Sequence, residues 1–197
     1  MKFSRSFEDR YINNIYLDDM NLSNYRDNIE GNTIRSKTRI RWYGDLLGIN
    51  SGPNLEIKKK RGEVGFKEKL QLNDFNFDEE FQSQIEGIRN NLKDMEKLHL
   101  ISQLRPTLVN RYKRSYYVSY DGDFRITLDQ NLEFFPFFNK KISLFQRYEN
   151  KRMLIVELKY SKNVSNNAND ISNQFPFRLT KSSKYIMGID KIRPYFF

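Results

Sequence analysis

The segment Lys37-Thr38-Arg39-Ile40-Arg41-Trp42-Tyr43 decides the fold prediction, because basic side chains alternate along it with small or apolar ones. Successive side chains of a strand point to opposite faces of a sheet. The segment is therefore predicted to lie in a strand over Thr33–Tyr43, with Lys37, Arg39, Arg41 and Tyr43 on one face, which is cationic. Its even-numbered positions face the core.

The same alternation recurs at Leu55–Lys60, Phe124–Asp129 and Met153–Tyr160. One charged strand face is usually just the solvated side of an antiparallel sheet. Four cationic faces side by side would repel one another unless they held an anion. Together they predict a sheet that curls around a polyanion, with a closed barrel giving a cationic lumen.

The remaining pattern predicts an α+β fold. Further strands are predicted at Tyr11–Leu17 and Val109–Tyr120, and a short helix over Asn21–Asn28 that ends at Gly31. A longer helix is predicted to begin at Asp78, because apolar residues follow it at helical spacing.

The composition excludes several classes of protein. The chain has 197 residues, a formal net charge of +9 and no cysteine, which excludes disulfide scaffolds and thiolate chemistry. His99 is the only histidine, and a Ser-His-Asp site is not expected. There is no secretory signal and no apolar stretch of about 20 residues, so a cytoplasmic protein without a membrane segment is expected. The positive charge predicts a phosphate-bearing partner.

Two glutamates interrupt the cationic faces. Glu56 lies next to Lys58 and Lys60 and is predicted to be an ion-pair partner. Glu157 is predicted to be an oxygen ligand for Mg²⁺ or Mn²⁺, with a structural ion pair as the alternative.

Eight short segments resemble, in chain order, motifs of the VTC domain, the polyphosphate polymerase branch of the triphosphate tunnel metalloenzymes. They are Asn14-Ile15-Tyr16-Leu17-Asp18, Asp27-Asn28-Ile29-Glu30-Gly31-Asn32, Arg39-Ile40-Arg41-Trp42-Tyr43-Gly44, Leu55-Glu56-Ile57-Lys58, Arg111-Tyr112-Lys113-Arg114, Arg125-Ile126-Thr127-Leu128-Asp129, Val156-Glu157-Leu158-Lys159 and Lys181-Ser182-Ser183-Lys184-Tyr185. The resemblance implies one domain over residues 1–197, built as an antiparallel β-tunnel with a basic lumen and flanking helices.

The resemblance also implies roles for individual residues. The expected catalytic set is Arg39, Arg41, Lys58, Arg114 and Glu157, with Glu157 as the metal ligand. The expected phosphate-binding set is Lys60, Tyr112, Arg125, Lys159, Lys181, Ser183 and Lys184. A regular strand would place Tyr112 and Arg114 on one face and Arg111 and Lys113 on the other. The resemblance favours Tyr112 and Arg114 inside.

The N-terminus departs from the family pattern. Only ten residues precede Tyr11, and none matches the Tyr-Glu-Arg-Lys-like first strand of family members. The tunnel is therefore expected to lack its first strand.

The function implied is a metal-dependent polyphosphate polymerase. It would transfer the terminal phosphoryl group of a nucleoside triphosphate, with ATP the expected donor, to a polyphosphate chain with Mn²⁺ or Mg²⁺ as cofactor. Two alternatives remain, namely a triphosphatase and a non-catalytic module that binds polyphosphate or inositol pyrophosphate. A general nucleic-acid binder is disfavoured because the aromatic residues mostly fall opposite the charged faces. The oligomeric state is left open.

Overall fold

The computed structural model describes residues 2–62, 64–77, 86–87, 101–138, 141–161, 164 and 170–192. The strands are β1 (Phe3–Asp18), β2 (Ile34–Tyr43), β3 (Ile49–Asn50), β4 (Asn54–Arg61), β5 (Val64–Gln71), β6 (Phe75–Asn76), β7 (Arg105–Ser119), β8 (Phe124–Phe138), β9 (Lys141–Ile142), β10 (Tyr148–Asn150) and β11 (Ile155–Tyr160). Two helices lie wholly within these ranges, α1 (Ser23–Glu30) and α2 (Lys184–Ile192).

One antiparallel sheet organises the chain. Its strand order is β10-β8-β7-β1-β2-β4-β5, and β11 and β9 also pair with β8. The first half of β8 pairs with β11 and a later part pairs with β10, so the sheet forks at this side. The α+β class and the antiparallel sheet are confirmed. The expected closure into a barrel is not seen, because no pairing among the described strands joins β5 to the forked end.

Local sequence patterns place most elements correctly. Strands β2 and β4 each begin one residue away from the predicted start, and α1 ends at Gly31, which has a φ of 74°. Strand β1 extends the predicted Tyr11–Leu17 back to Phe3. Strand β8 runs past the predicted end and through Pro136, which pairs with Leu108. The helix predicted to begin at Asp78 lies almost wholly outside the described residues. His99 lies outside them as well.

The two sheet faces have different coverings. One face packs into an apolar core that includes Ile40 and Trp42, as the alternation along β2 predicts. The opposite face, here called the basic face, carries Lys37, Arg39 and Arg41 on β2 and Arg114 on β7. Helices α1 and α2 cover its β1–β7–β8 part with a second apolar cluster.

Gly188 sets how closely α2 approaches this sheet. A Cβ at this position would lie 2.6 Å from Phe134 Cδ1 and closer still to Leu108 Cδ2. Real Cβ atoms do not make such contacts, so only glycine fits while α2 keeps its position. The close approach places the N-terminal turn of α2 beside the charged residues of β8.

Candidate functional site

The basic face contains a cluster of cations centred on Glu56 of β4. Arg39 donates to Glu56 Oε2 through Nε at 2.8 Å and through its terminal nitrogen at 2.6 Å. Lys67 Nζ lies 2.7 Å from Oε1, and Arg41 lies 3.7 Å from Oε2. Burial alone would raise the pKa of Glu56, but Arg39 and Arg41 outweigh it and hold the pKa at about 2. The predicted ion-pair role of Glu56 agrees with this geometry, although its partners lie on β2 and β5.

Arg41 extends this cluster toward β7 through buried amides. Its Nε donates to Asn14 Oδ1 at 2.9 Å, and Asn14 Nδ2 donates to Asn110 Oδ1 at 2.8 Å. The other end of the Arg41 guanidinium lies 3.4 Å from the Tyr112 hydroxyl. The Asn110 Nδ2 donor is buried and has no hydrogen-bond partner in the described part of the chain. Such a donor is costly to leave unpaired.

A second cluster joins β7, β8 and α2. Arg114 makes a two-pronged contact with Asp129, with distances of 2.5 and 2.7 Å. Lys184 Nζ, from the first turn of α2, lies 2.5 Å from Asp129 Oδ2 and 4.6 Å from the centre of the Tyr112 ring. Burial alone would raise the pKa of Asp129, but Arg114 and Lys184 lower it instead. The sequence prediction gave Asp129 no role, although alternation along Phe124–Asp129 put it on this face.

Glu157 of β11 lies beside the second cluster and faces solvent. Its side chain is 47% exposed, and its carboxylate lies 3.8 Å from Arg114 and 3.6 Å from Lys159. Both distances exceed those of direct hydrogen bonds. Arg114 therefore lies between two carboxylates, Asp129, which is tightly paired, and Glu157, which is loosely paired.

A third group of cations adjoins the cluster around Glu56 and shares Lys67 with it. Lys37, Lys58 and Lys67 lie side by side in the register of β2, β4 and β5. Lys37 Nζ donates to Ser183 Oγ at 2.8 Å. Burial, together with the charges of Lys58, Arg35 and Arg39, lowers the pKa of Lys37 to about 8. These positive charges are repulsive in the absence of an anion.

We expect the lowered pKa of Lys37 to make anion binding depend on pH. Lys37 is charged below pH 8 and loses its proton above it, whereas a bound triphosphate favours the charged form. The dissociation constant for inorganic tripolyphosphate should rise about tenfold between pH 7 and pH 9, since one proton must then be taken up with the ligand. Calorimetric titrations at both pH values check this. Lys37→Gln should flatten the profile, and an unchanged slope in that variant would contradict the assignment.

The remaining strand residues predicted for the site, Lys58, Lys60, Arg125 and Lys159, are spread along the same face. Lys58 is exposed, Lys60 is half-buried, and Arg125 on β8 lies directly opposite Lys159 on β11. Lys181 is exposed just before α2.

Several polar residues of the site were missed by the sequence prediction, namely Asn14, Lys67, Asn110 and Asp129. Helix α2 was missed as well, although Tyr185, Gly188, Ile189 and Ile192 have helical spacing and are all buried. That spacing was the signal that could have found it.

The face can be tested for its fit to a divalent metal. No group of three or more His, Cys, Asp or Glu side chains that could hold a metal occurs within the described ranges. Mg²⁺ commonly keeps several waters and takes one or two carboxylates together with substrate phosphates. Glu56 and Asp129 are each held at 2.7 Å or less by cations, whereas Glu157 is exposed and loosely paired. Glu157 therefore fits as the one protein ligand of a metal shared with phosphate.

The structure bears on membrane association in one respect. In the part of the chain that it describes, no helix has the length and apolar character needed to cross a membrane.

Comparisons with known proteins assign the family. No curated protein matches the chain. It is similar to the solved structure of a proposed adenylate cyclase from Bacillus halodurans, with 14% identity, a TM-score of 0.54, and coverage of 95% of this chain and 83% of that chain. A proposed adenylate cyclase from Vibrio parahaemolyticus has 14% identity and a TM-score of 0.47, with 95% and 85% coverage. A Pyrococcus horikoshii protein has 13% identity and a TM-score of 0.48, with 96% and 88% coverage. Identities this low show a shared fold alone. The model of the VTC domain matches residues 2–193, and the chain therefore belongs to the VTC domain family.

Proposed function

We propose that the protein is a metal-dependent phosphotransferase that moves the terminal phosphoryl group of a nucleoside triphosphate, with ATP as donor, to the end of a polyphosphate chain. The observation that carries this proposal is the charge imbalance of the basic face. Within the described residues, Glu56, Asp129 and Glu157 are shared by six cations, namely Arg39, Arg41, Lys67, Arg114, Lys159 and Lys184. A polyanion would complete the neutralisation that three carboxylates leave unfinished.

Binding is expected to begin with the arginines. Guanidinium groups bind phosphate through two parallel N–H donors, and Arg39 already binds Glu56 through two nitrogens. A phosphate that replaces Glu56 at Arg39 leaves that carboxylate with Arg41 and Lys67.

The chemistry requires little from the protein beyond charge and alignment. A terminal oxygen of the acceptor chain attacks the γ-phosphorus, the bond from that phosphorus to the β–γ bridging oxygen breaks, and a nucleoside diphosphate leaves. The acceptor oxygen is already anionic, so no general base is needed, in keeping with a chain that has one histidine. Arg39, Arg41 and Arg114 offset the charge on the transferring oxygens. A metal held by Glu157 would supply Lewis-acid charge to the same phosphates.

A non-catalytic polyphosphate-binding module is the second candidate. It is favoured by the open sheet and by the finding that, among the carboxylates described on the basic face, only Glu157 is exposed and loosely paired. Such a module would bind the same ligands through the same cations without turnover.

Incubation of the purified protein with ATP and either Mn²⁺ or Mg²⁺ tests the proposal. Polymer on a gel, with one nucleoside diphosphate released per phosphate added, is the expected result. Orthophosphate without polymer would indicate a triphosphatase. Tight binding of tripolyphosphate without turnover in any metal would establish the binding module instead.

Lys58 and Lys59 offer a matched pair for testing the basic face, since neighbours on β4 point to opposite sides of the sheet. We expect Lys58→Ala to weaken tripolyphosphate binding about three- to tenfold, because it removes one exposed point charge. Arg39→Ala should weaken it roughly ten- to hundredfold, since charge-assisted hydrogen bonds are lost. Lys59→Ala, whose ammonium lies 3.5 Å from Glu68, should leave the affinity unchanged. Equal losses for Lys58→Ala and Lys59→Ala in calorimetry would mean that the binding face is wrongly assigned.

A further inference from the structure

Exposed aromatic rings surround a cation at one end of the basic face. The Arg10 guanidinium carbon lies 5.0 Å from the ring centres of Tyr43 and Tyr116 and 5.7 Å from that of Phe7. Phe7 and Tyr116 meet edge to face with their centres 5.8 Å apart. Phe7 is 62% exposed and Tyr43 is 46% exposed. These four residues are here called the aromatic platform.

An irregularity in β1 creates the platform. Phe7 and Arg10 are three residues apart and would point to opposite faces of a regular strand. The β1–β7 register shifts between them: Phe7 pairs with Tyr116 and Arg10 with Arg114, so β1 has one more residue than β7 between these pairs. This bulge brings Phe7 and Arg10 to the same face. Bulges often re-aim side chains beside functional sites.

The platform adjoins the phosphate-binding arginines. Tyr43 follows Arg41 by two residues on β2, and Tyr116 follows Arg114 by two residues on β7. Two residues span about 6.7 Å along a strand. The sequence-based expectation is that aromatic residues mostly lie opposite the charges. Tyr43, which strand alternation places on the cationic face, and Tyr116 are exceptions, because they share the side of Arg41 and Arg114.

We propose that the aromatic platform binds the nucleobase of the donor nucleotide, which rests on the proposed function and adds a selectivity site to it. Bases stack on aromatic rings and on arginine planes, and the platform offers both to solvent. A base stacked there leaves its phosphates facing Arg41 and Arg114. Inorganic tripolyphosphate has no base and gains nothing from the platform. The site thus distinguishes a nucleoside triphosphate from a bare phosphate chain, although both are polyanions.

Paired titrations with a non-hydrolysable ATP analogue and with inorganic tripolyphosphate test this assignment. Tyr43→Ala and Phe7→Ala should each weaken binding of the ATP analogue about tenfold, while tripolyphosphate affinity changes less than twofold. Tyr43→Phe, which keeps the stacking ring, should bind the analogue as the wild type does. Tyr11→Ala is the matched control: Tyr11 also stacks on an arginine, Arg111, at 4.1 Å, but it lies on the opposite side of β1.

Each outcome decides between the two proposals. If the wild type binds tripolyphosphate, and Tyr43→Ala and Phe7→Ala bind the ATP analogue as tightly as the wild type does, the base site is overturned. The proposed function is then unaffected. Equal losses for both ligands would also overturn the base site, since the rings would then act on the phosphates. Failure of the wild-type protein to bind tripolyphosphate would overturn the proposed function and, with it, the base site. Tighter binding of a single-stranded oligonucleotide than of the ATP analogue would reassign the platform to nucleic acid.

Discussion

Asp129→Ala lowers the free energy of unfolding by about 3–5 kcal/mol, the largest stability effect expected of any single change in this site. The substitution leaves the buried Arg114 guanidinium and the Lys184 ammonium without the carboxylate that neutralises them. For a chain of this size the melting temperature should fall by about 6–20 °C. Chemical denaturation and calorimetry measure both quantities. Asp123→Ala, an exposed position on the same β7–β8 hairpin, should stay within about 0.5 kcal/mol of the wild type.

The pH dependence of this effect follows from the lowered pKa of Asp129. The folded protein holds this carboxylate ionised to lower pH than the unfolded chain does, so its stabilisation is fully present above the ordinary value of 3.8. The stabilisation is lost as the pH falls through the lowered pKa that Asp129 has in the folded protein. Wild type and Asp129→Ala should therefore differ most at neutral pH and converge in acid. Tripolyphosphate should restore part of the lost stability, because its oxygens replace the missing anion. A variant as stable as the wild type at pH 7 would rule out a buried, charge-neutralising role.

We expect Glu157→Gln to reduce the proposed metal-dependent turnover at least about a hundredfold and to leave the fold intact. The amide keeps the shape of the side chain but removes the charge that a divalent metal requires. Since Glu157 is half exposed and only loosely paired, its loss should hardly change the melting temperature. Tripolyphosphate binding without metal should be unchanged or slightly tighter, because a negative charge leaves a cationic face.

Two measurements separate this role from a structural one. Turnover with ATP should fall together with the affinity for Mn²⁺, read by electron paramagnetic resonance in the presence of a non-hydrolysable ATP analogue. Glu149 on β10 is a carboxylate that pairs with Arg147 and Lys151. Glu149→Gln serves as the control and should alter neither quantity. Unchanged Mn²⁺ affinity in Glu157→Gln would remove Glu157 from the metal site.

Much of the basic face follows from the sequence because strand alternation is a local property. The pattern along β2 places Arg39 and Arg41 on one face and Ile40 and Trp42 in the core, and the structure agrees. No long-range information is needed for that result.

The partners of these cations could not be predicted in the same way, because they depend on strand register. Arg114 meets Asp129 only because the β7–β8 register shifts between Arg111 and Lys113. The contact of Glu56 with Lys67 depends on β5, a strand that the sequence patterns did not identify. Closure of the sheet was mispredicted for a related reason, since it depends on how distant edge strands pair rather than on the pattern within any one of them.

The absence of a side chain at Gly188 has a consequence for protein engineering. A larger residue there must tilt or lift α2, and Lys184 would move away from Asp129 with it. Gly188 therefore fixes the distance between α2 and the sheet. Attempts to enlarge the basic face should change residues on β4 and β5 rather than on the strands that α2 covers.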